Sequence, residues 1–117
     1  LWRNLDDEQL RAIAASGGTI GVMFQSQFLD PSIRGAWRRT RAESIFHHLD
    51  HIVRTVGEDF ASLGSDFDGL ITTPWDMPTC LELPRLVQTM LVQGWREERI
   101  RKILGENFLR VLGAIRP

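Results

Sequence analysis

Two carboxylates framed by glycines form the most chemically suggestive stretch of the chain, Gly64-Ser65-Asp66-Phe67-Asp68-Gly69. It follows Phe60 to Leu63, a short, mostly apolar run that reads as a strand. Glycines on both sides let the backbone turn sharply and approach a ligand closely. A carboxylate held there can accept a proton from an attacking water, including one activated by a metal. The same residues also suit a turn in which Asp66 and Asp68 accept hydrogen bonds from local amides. Residue types alone leave both readings open.

The other groups that invite chemistry are weaker. His47 and His51 lie four apart, so they share a helical face as two zinc ligands would. The segment His47-His48-Leu49-Asp50-His51 carries no glutamate of the kind that makes such a helix a metalloprotease site, and it lies in mid-helix. We therefore read all three histidines as helix-surface or packing residues. Arg3 precedes a helix, where it can fork onto a carboxylate or remain solvated like the other arginines. Arg34, Arg38, Arg39 and Arg41 cluster, but Trp37 is their only interleaved aromatic and the net charge is −1, so no nucleic-acid partner is expected. Cys80 is the single cysteine, which excludes an intrachain disulfide and a thiolate zinc site. No phosphate loop, nucleophile elbow or Cys–His pair is present.

The elements that must position these groups can be traced in order. Leu5 to Ala15 has an apolar stripe at helical spacing, with Asn4 or Asp6 as its cap and Ser16-Gly17-Gly18 as its stop. Thr19 to Phe24 reads as a strand apolar on both faces, the habit of covered parallel sheets. Gln25 to Thr40 is expected to be a long polar loop, and loops of that length are commonly functional. Ala42 to Val56 reads as a second helix ended by Gly57, and Phe60 to Leu63 as a second strand. After an irregular stretch from Leu70 to Pro78, Leu81 to Gln93 forms a third helix with Pro84 in its first turn. Arg96 to Leu104 and Asn107 to Ile115 are predicted as two short helices separated at Gly105.

Helix–strand alternation signals a parallel α/β arrangement. Two parallel strands leave unpaired edges, so the pattern fits a piece of a (β/α)8 TIM barrel, which takes about 250 residues, rather than a fold complete in 117. No apolar run approaches the ~18 residues needed to span a bilayer, so no membrane segment is expected. The chain opens Leu1-Trp2-Arg3 without an initiator methionine, and we expect further sequence upstream, with any targeting signal in it.

Taken together, these segments resemble the membrane (renal) dipeptidase family of zinc peptidases. The likeness is carried by Arg3-Asn4-Leu5-Asp6-Asp7, Gly17-Gly18-Thr19-Ile20-Gly21-Val22 leading into Phe24, and His48-Leu49-Asp50-His51-Ile52. It continues through Gly64-Ser65-Asp66-Phe67-Asp68-Gly69, Gly94-Trp95 and the tail Ile103-Leu104-Gly105-Glu106-Asn107-Phe108-Leu109-Arg110-Val111-Leu112. Order and spacing agree from end to end.

The resemblance implies a single partial domain over residues 1–117, the C-terminal segment of a (β/α)8 barrel that holds two zinc ions and hydrolyses dipeptides. Asp66 matches the strand-eight aspartate that contacts the zinc-bridging water and handles its proton. Arg3 matches the arginine that binds the substrate's C-terminal carboxylate. Phe28 stands near the substrate where some relatives carry tyrosine, and Met23 where asparagine is common. The family's metal ligands, a His-x-Asp, a glutamate and two further histidines, would all precede Leu1, so no residue of this chain is expected to hold zinc. The expected partners are a dipeptide and the missing N-terminal part of the barrel. The alternative is a non-catalytic remnant acting as an oligomerising or interaction domain. The unpartnered strand edges argue for the fragment over the remnant, and the 117-residue chain alone is then expected to be poorly soluble or partly unfolded.

Overall fold

The structure, a computed structural model, describes residues 2–35 and 38–116. Leu1 and Trp37, which the sequence reading used, lie outside them. The element order is α1 (Asp7–Ala15), β1 (Ile20–Val22), α2 (Ser26–Leu29), α3 (Glu43–Val56) and β2 (Ala61–Leu63). A single 3-10 turn (Cys80–Glu82), α4 (Leu83–Val92), α5 (Glu97–Arg101), a π-helical turn (Lys102–Glu106) and α6 (Asn107–Ile115) follow.

The first helix starts where the sequence dictates. The Asp6 carboxylate accepts from Gln9 N at 2.9 Å while Gln9 Oε1 accepts from Asp6 N at 3.0 Å, a reciprocal cap that satisfies two orphan donors. Asp6 is therefore the cap, and Asn4 serves elsewhere. Gly17, at φ +80°, turns the chain out of α1 toward β1.

β1 and β2 pair in parallel, with Ile20 opposite Ala61, Gly21 opposite Ser62 and Val22 opposite Leu63. Parallel neighbours need a crossover, and α3 supplies it. That helix buries Ile45, Phe46, Leu49 and Ile52. Its entry has no local side-chain cap; instead Asp76, from the loop after β2, accepts from Ala42 N at 2.8 Å. The core centres on Phe24, Ile45, Leu49, Met77, Leu86, Met90 and Ile103, all buried. Burying one such large aliphatic or aromatic side chain stabilises by about 1.5–3 kcal/mol.

Two expectations are corrected. The segment from Gln25 to Thr40 is not loop throughout, because α2 forms within it and buries Ser26 and Leu29. Nor does Gly105 separate two helices: α5, the π turn and α6 follow one another without interruption from Glu97 to Ile115. A lone glycine inside a helix costs only about 1 kcal/mol. Burial of Ile103 and Asn107 on either side of it outweighs that cost.

An ion cluster fixes this last helical stretch to the entry of β2. Glu58 lies 2.8 Å from Arg99 Nε and 3.0 Å from Lys102 Nζ, and Lys102 Nζ lies 2.9 Å from Asp59 Oδ1. The hydrogen bond from Arg99, seconded by that from Lys102, holds the Glu58 carboxyl below the usual glutamate range, against the opposing effect of burial. Asp59, then Glu58, push the Lys102 ammonium upward. Because Glu58 is depressed in the folded state, its contribution is present above its unfolded pKa and disappears as the pH falls through the folded one. Thermal melts of the upstream-extended protein between neutral pH and pH ~3 should show the wild type losing stability more steeply with acid than Glu58→Gln. Parallel curves would remove Glu58 from the acid response.

Among the described residues, no helix is long and apolar enough to cross a membrane.

Candidate active site

The ends of β1 and β2 are drawn together by two glycines. A Cβ built on Gly21 would lie 3.1 Å from Gly64 Cα, and one on Gly64 would lie 3.2 Å from Gly21 Cα. A side chain at either position would force the strands apart. Pairing continues beyond the strands proper, as Gly64 N donates to Val22 O at 3.0 Å and Phe24 N to Ser65 O at 3.2 Å.

Asp66 follows directly, exposed at the C-terminal end of β2. Asp66, Asp68 and Leu70 have φ of 60°, 65° and 60°, three non-glycine residues in the left-handed region within five positions. That region is uncommon for such residues, and strained backbone of this kind concentrates at functional sites. The Asp66 side chain folds back over Gly69, where a Cβ would collide with its carboxylate. Gly69 N donates to Asp66 O at 3.1 Å, so the local turn forms and leaves the exposed carboxylate available. Beside it, Phe67 packs edge-on against buried Phe24, with centroids 5.3 Å apart.

The loops that follow the two strands are fastened to each other. Ser26 N donates to Thr72 O at 2.8 Å, and Thr72 N donates to Gln25 Oε1 at 2.5 Å. Buried Ser26 Oγ accepts from Thr40 N at 3.2 Å, and Trp75 N donates to Thr40 O at 3.1 Å. Gln25 and Asp76 thus support the site, yet neither carries a sequence signal. Each acts across more than thirty residues, on a backbone amide of no particular residue type.

Arg3 and Phe28, distant in sequence, meet. The Arg3 guanidinium carbon stands 4.8 Å from the centroid of the Phe28 ring, a cation–π contact, and Asn4 Nδ2 donates to Phe28 O at 2.8 Å. Both residues border a cavity of about 310 Å³, whose wall also includes Met23, His48 and His51. Asp66 is not part of that wall.

The three histidines of α3 have separate partners. His48 Nε2 donates to Leu29 O at 2.9 Å, His51 Nε2 lies 2.7 Å from Asp7 Oδ1, and His47 Nε2 lies 4.0 Å from Glu43 Oε1. Among the described residues no three His, Cys, Asp or Glu side chains are grouped so as to hold a metal ion.

A family model described as membrane dipeptidase, peptidase family M19, matches residues 2–116. The chain is 44% identical over 113 residues to an uncharacterized Klebsiella pneumoniae protein encoded in the pqqA 5′ region, spanning 94% of this chain and 40% of that one. It is 34% identical over 110 residues to Dipeptidase ataJ of Aspergillus terreus, spanning 94% of this chain and 26% of that protein. The chain thus covers well under half the length of these relatives. Among solved structures, a Rhodobacter sphaeroides metallopeptidase liganded with a phosphinate mimic of the dipeptide L-Ala-D-Ala superposes with a TM-score of 0.84 at 38% identity, over 95% of this chain and 31% of that one. A dipeptidase AC described as a family M19 metallopeptidase superposes with a TM-score of 0.80 at 38% identity, over 91% and 30%.

Proposed function

Because the chain belongs to the membrane dipeptidase family, peptidase family M19, we propose that it forms the C-terminal segment of a zinc-dependent dipeptidase built on a (β/α)8 barrel. The observation that carries this reading is Asp66, exposed at the C-terminal end of a parallel strand in a left-handed turn. Enzymes of that architecture build their sites from the C-terminal ends of the strands.

In this reading Asp66 takes the proton of the attacking water and returns it to the leaving amine, the two halves of general acid–base catalysis. Arg3 receives the free carboxylate of the dipeptide through its forked N–H donors. Phe28 supports Arg3 from below through its ring face. It offers no hydroxyl of its own to the substrate. In this reading zinc is held by residues outside this chain, in the part of the barrel that precedes it.

The test is to express the upstream-extended reading frame, load it with zinc and assay a panel of small dipeptides. Hydrolysis that disappears on chelation and returns with zinc supports the proposal. A metal-loaded protein that cleaves no dipeptide overturns it. In the same protein, Arg3→Met should raise KM by about 10- to 100-fold and leave kcat nearly unchanged. One charge-assisted contact, made alike in the ground and transition states, accounts for that split. A fall confined to kcat would remove Arg3 from substrate binding.

A further inference from the structure

α2 is too short to hold itself in place. It runs only from Ser26 to Leu29, and no side chain caps its start. Helices far longer than one turn are marginal in water, so what fixes α2 must come from outside it. The last carbonyls of a helix have no partner within it. In α2, Ser26 O accepts from Asp30 N at 3.0 Å, while the final two carbonyls are taken by side chains of other elements. Asn4 Nδ2 donates to Phe28 O at 2.8 Å, and His48 Nε2 donates to Leu29 O at 2.9 Å.

Those two donors come from different parts of the chain. Asn4 lies in the segment leading into α1, and His48 lies on α3. Asp6 caps α1, which leaves the Asn4 amide to reach Phe28, 24 residues away. Leu29 is also buried in the core. With two carbonyls held and Leu29 buried, α2 is kept from turning about its axis, and the direction of the Phe28 side chain is set.

Arg3 depends on that direction. Its side chain is exposed, and its guanidinium carbon stands 4.8 Å from the centroid of the Phe28 ring. A long exposed side chain loses rotamer freedom when a ligand fixes it, and that loss weakens binding. A ring already in place beneath the guanidinium removes part of the loss. Asn4 and Arg3, neighbours in sequence, thus grip one residue at two points, its carbonyl and its ring.

We propose that Asn4 and His48 are positioning residues for substrate binding. By holding α2 they set the Phe28 ring against Arg3, and so arrange in advance the guanidinium that receives the dipeptide's carboxylate. This deepens the reading above and rests on the role given there to Arg3. Neither residue touches the substrate; each acts through Phe28.

The test uses the zinc-loaded, upstream-extended protein. Asn4→Ala and His48→Leu should each raise KM for small dipeptides by about 3- to 10-fold with kcat within about twofold, the scale of one neutral hydrogen bond. His48→Gln, whose amide can donate to the same carbonyl, should bring KM back near the wild-type value. In an Arg3→Met background neither Asn4→Ala nor His48→Leu should raise KM further, because residues acting through Arg3 are not additive with it. Full additivity overturns the proposal. So does a lowered melting temperature with KM unchanged, which would leave both residues a purely structural role.

A second readout needs no activity. The Arg3 Nε–H proton, lying near the face of the Phe28 ring, should resonate upfield of its position in Phe28→Leu. Asn4→Ala should move it toward that position. The movement in an inactive protein would keep the clamp and remove the dipeptidase reading. An active protein in which Asn4→Ala leaves both the resonance and KM unchanged would do the reverse.

Discussion

Asp66→Asn in the zinc-loaded, upstream-extended protein should lower kcat for dipeptide hydrolysis by at least ~100-fold, with KM little changed, the low end for loss of a general acid–base group. Asparagine keeps the shape of the side chain and is, like aspartate, one of the few residues at ease in the left-handed region that Asp66 occupies. It also fits over Gly69, where the carboxylate now lies. Fold and melting temperature should therefore survive, and the loss would report proton handling alone. Activity within about threefold of wild type would remove Asp66 from the chemistry. A large fall in stability alongside the lost activity would assign it to holding the turn.

Asn107→Leu should give the largest loss of stability of any single polar substitution considered. Asn107 is 3% exposed, and its Nδ2 donates to Glu58 O at 2.7 Å and to Ala61 O at 2.8 Å. Leucine fills similar space and donates nothing, so two carbonyls lose their partner, each at about 1–3 kcal/mol when buried. In the upstream-extended protein a melting temperature lower by roughly 10 °C is the expected size. A shift of only a degree or two would mean that water reaches both carbonyls. Ile103 and Asn107, four residues apart and so on one helical face, are both buried. The strand edge and the helix are thus joined through one side chain.

The parts of this fold legible in the sequence are those whose signals are local. α1 declares itself through Asp6, its apolar stripe and Gly17, and α3 through Ile45, Phe46, Leu49 and Ile52 before Gly57. The parallel pairing of β1 and β2 follows from the helix between them. What was not legible depends on distant partners. Gly105 looks like a helix stop until the core claims Ile103 and Asn107. The short α2 is held by Thr72 and Thr40, far along the chain. At the site, Asp66 could be placed at a strand end from the order of residues alone. The left-handed backbone at Leu70 could not, since nothing about a leucine announces it. Nor does spacing predict that Arg3 would lie over Phe28.

The fastening of the two loops has a consequence for how such a protein can change over generations. Gln25 and Ser26 hold Thr72 from both its amide and its carbonyl, while Thr40 contacts Ser26 on one side and Trp75 on the other. An insertion that lengthens one loop strains the other, so length changes in the two should be inherited as a pair. Transplanting either loop alone from a relative should leave a frayed rim, and transplanting both together should restore it. Diversification around these strand ends would then proceed by exchanging a matched pair of loops rather than by drift in either one.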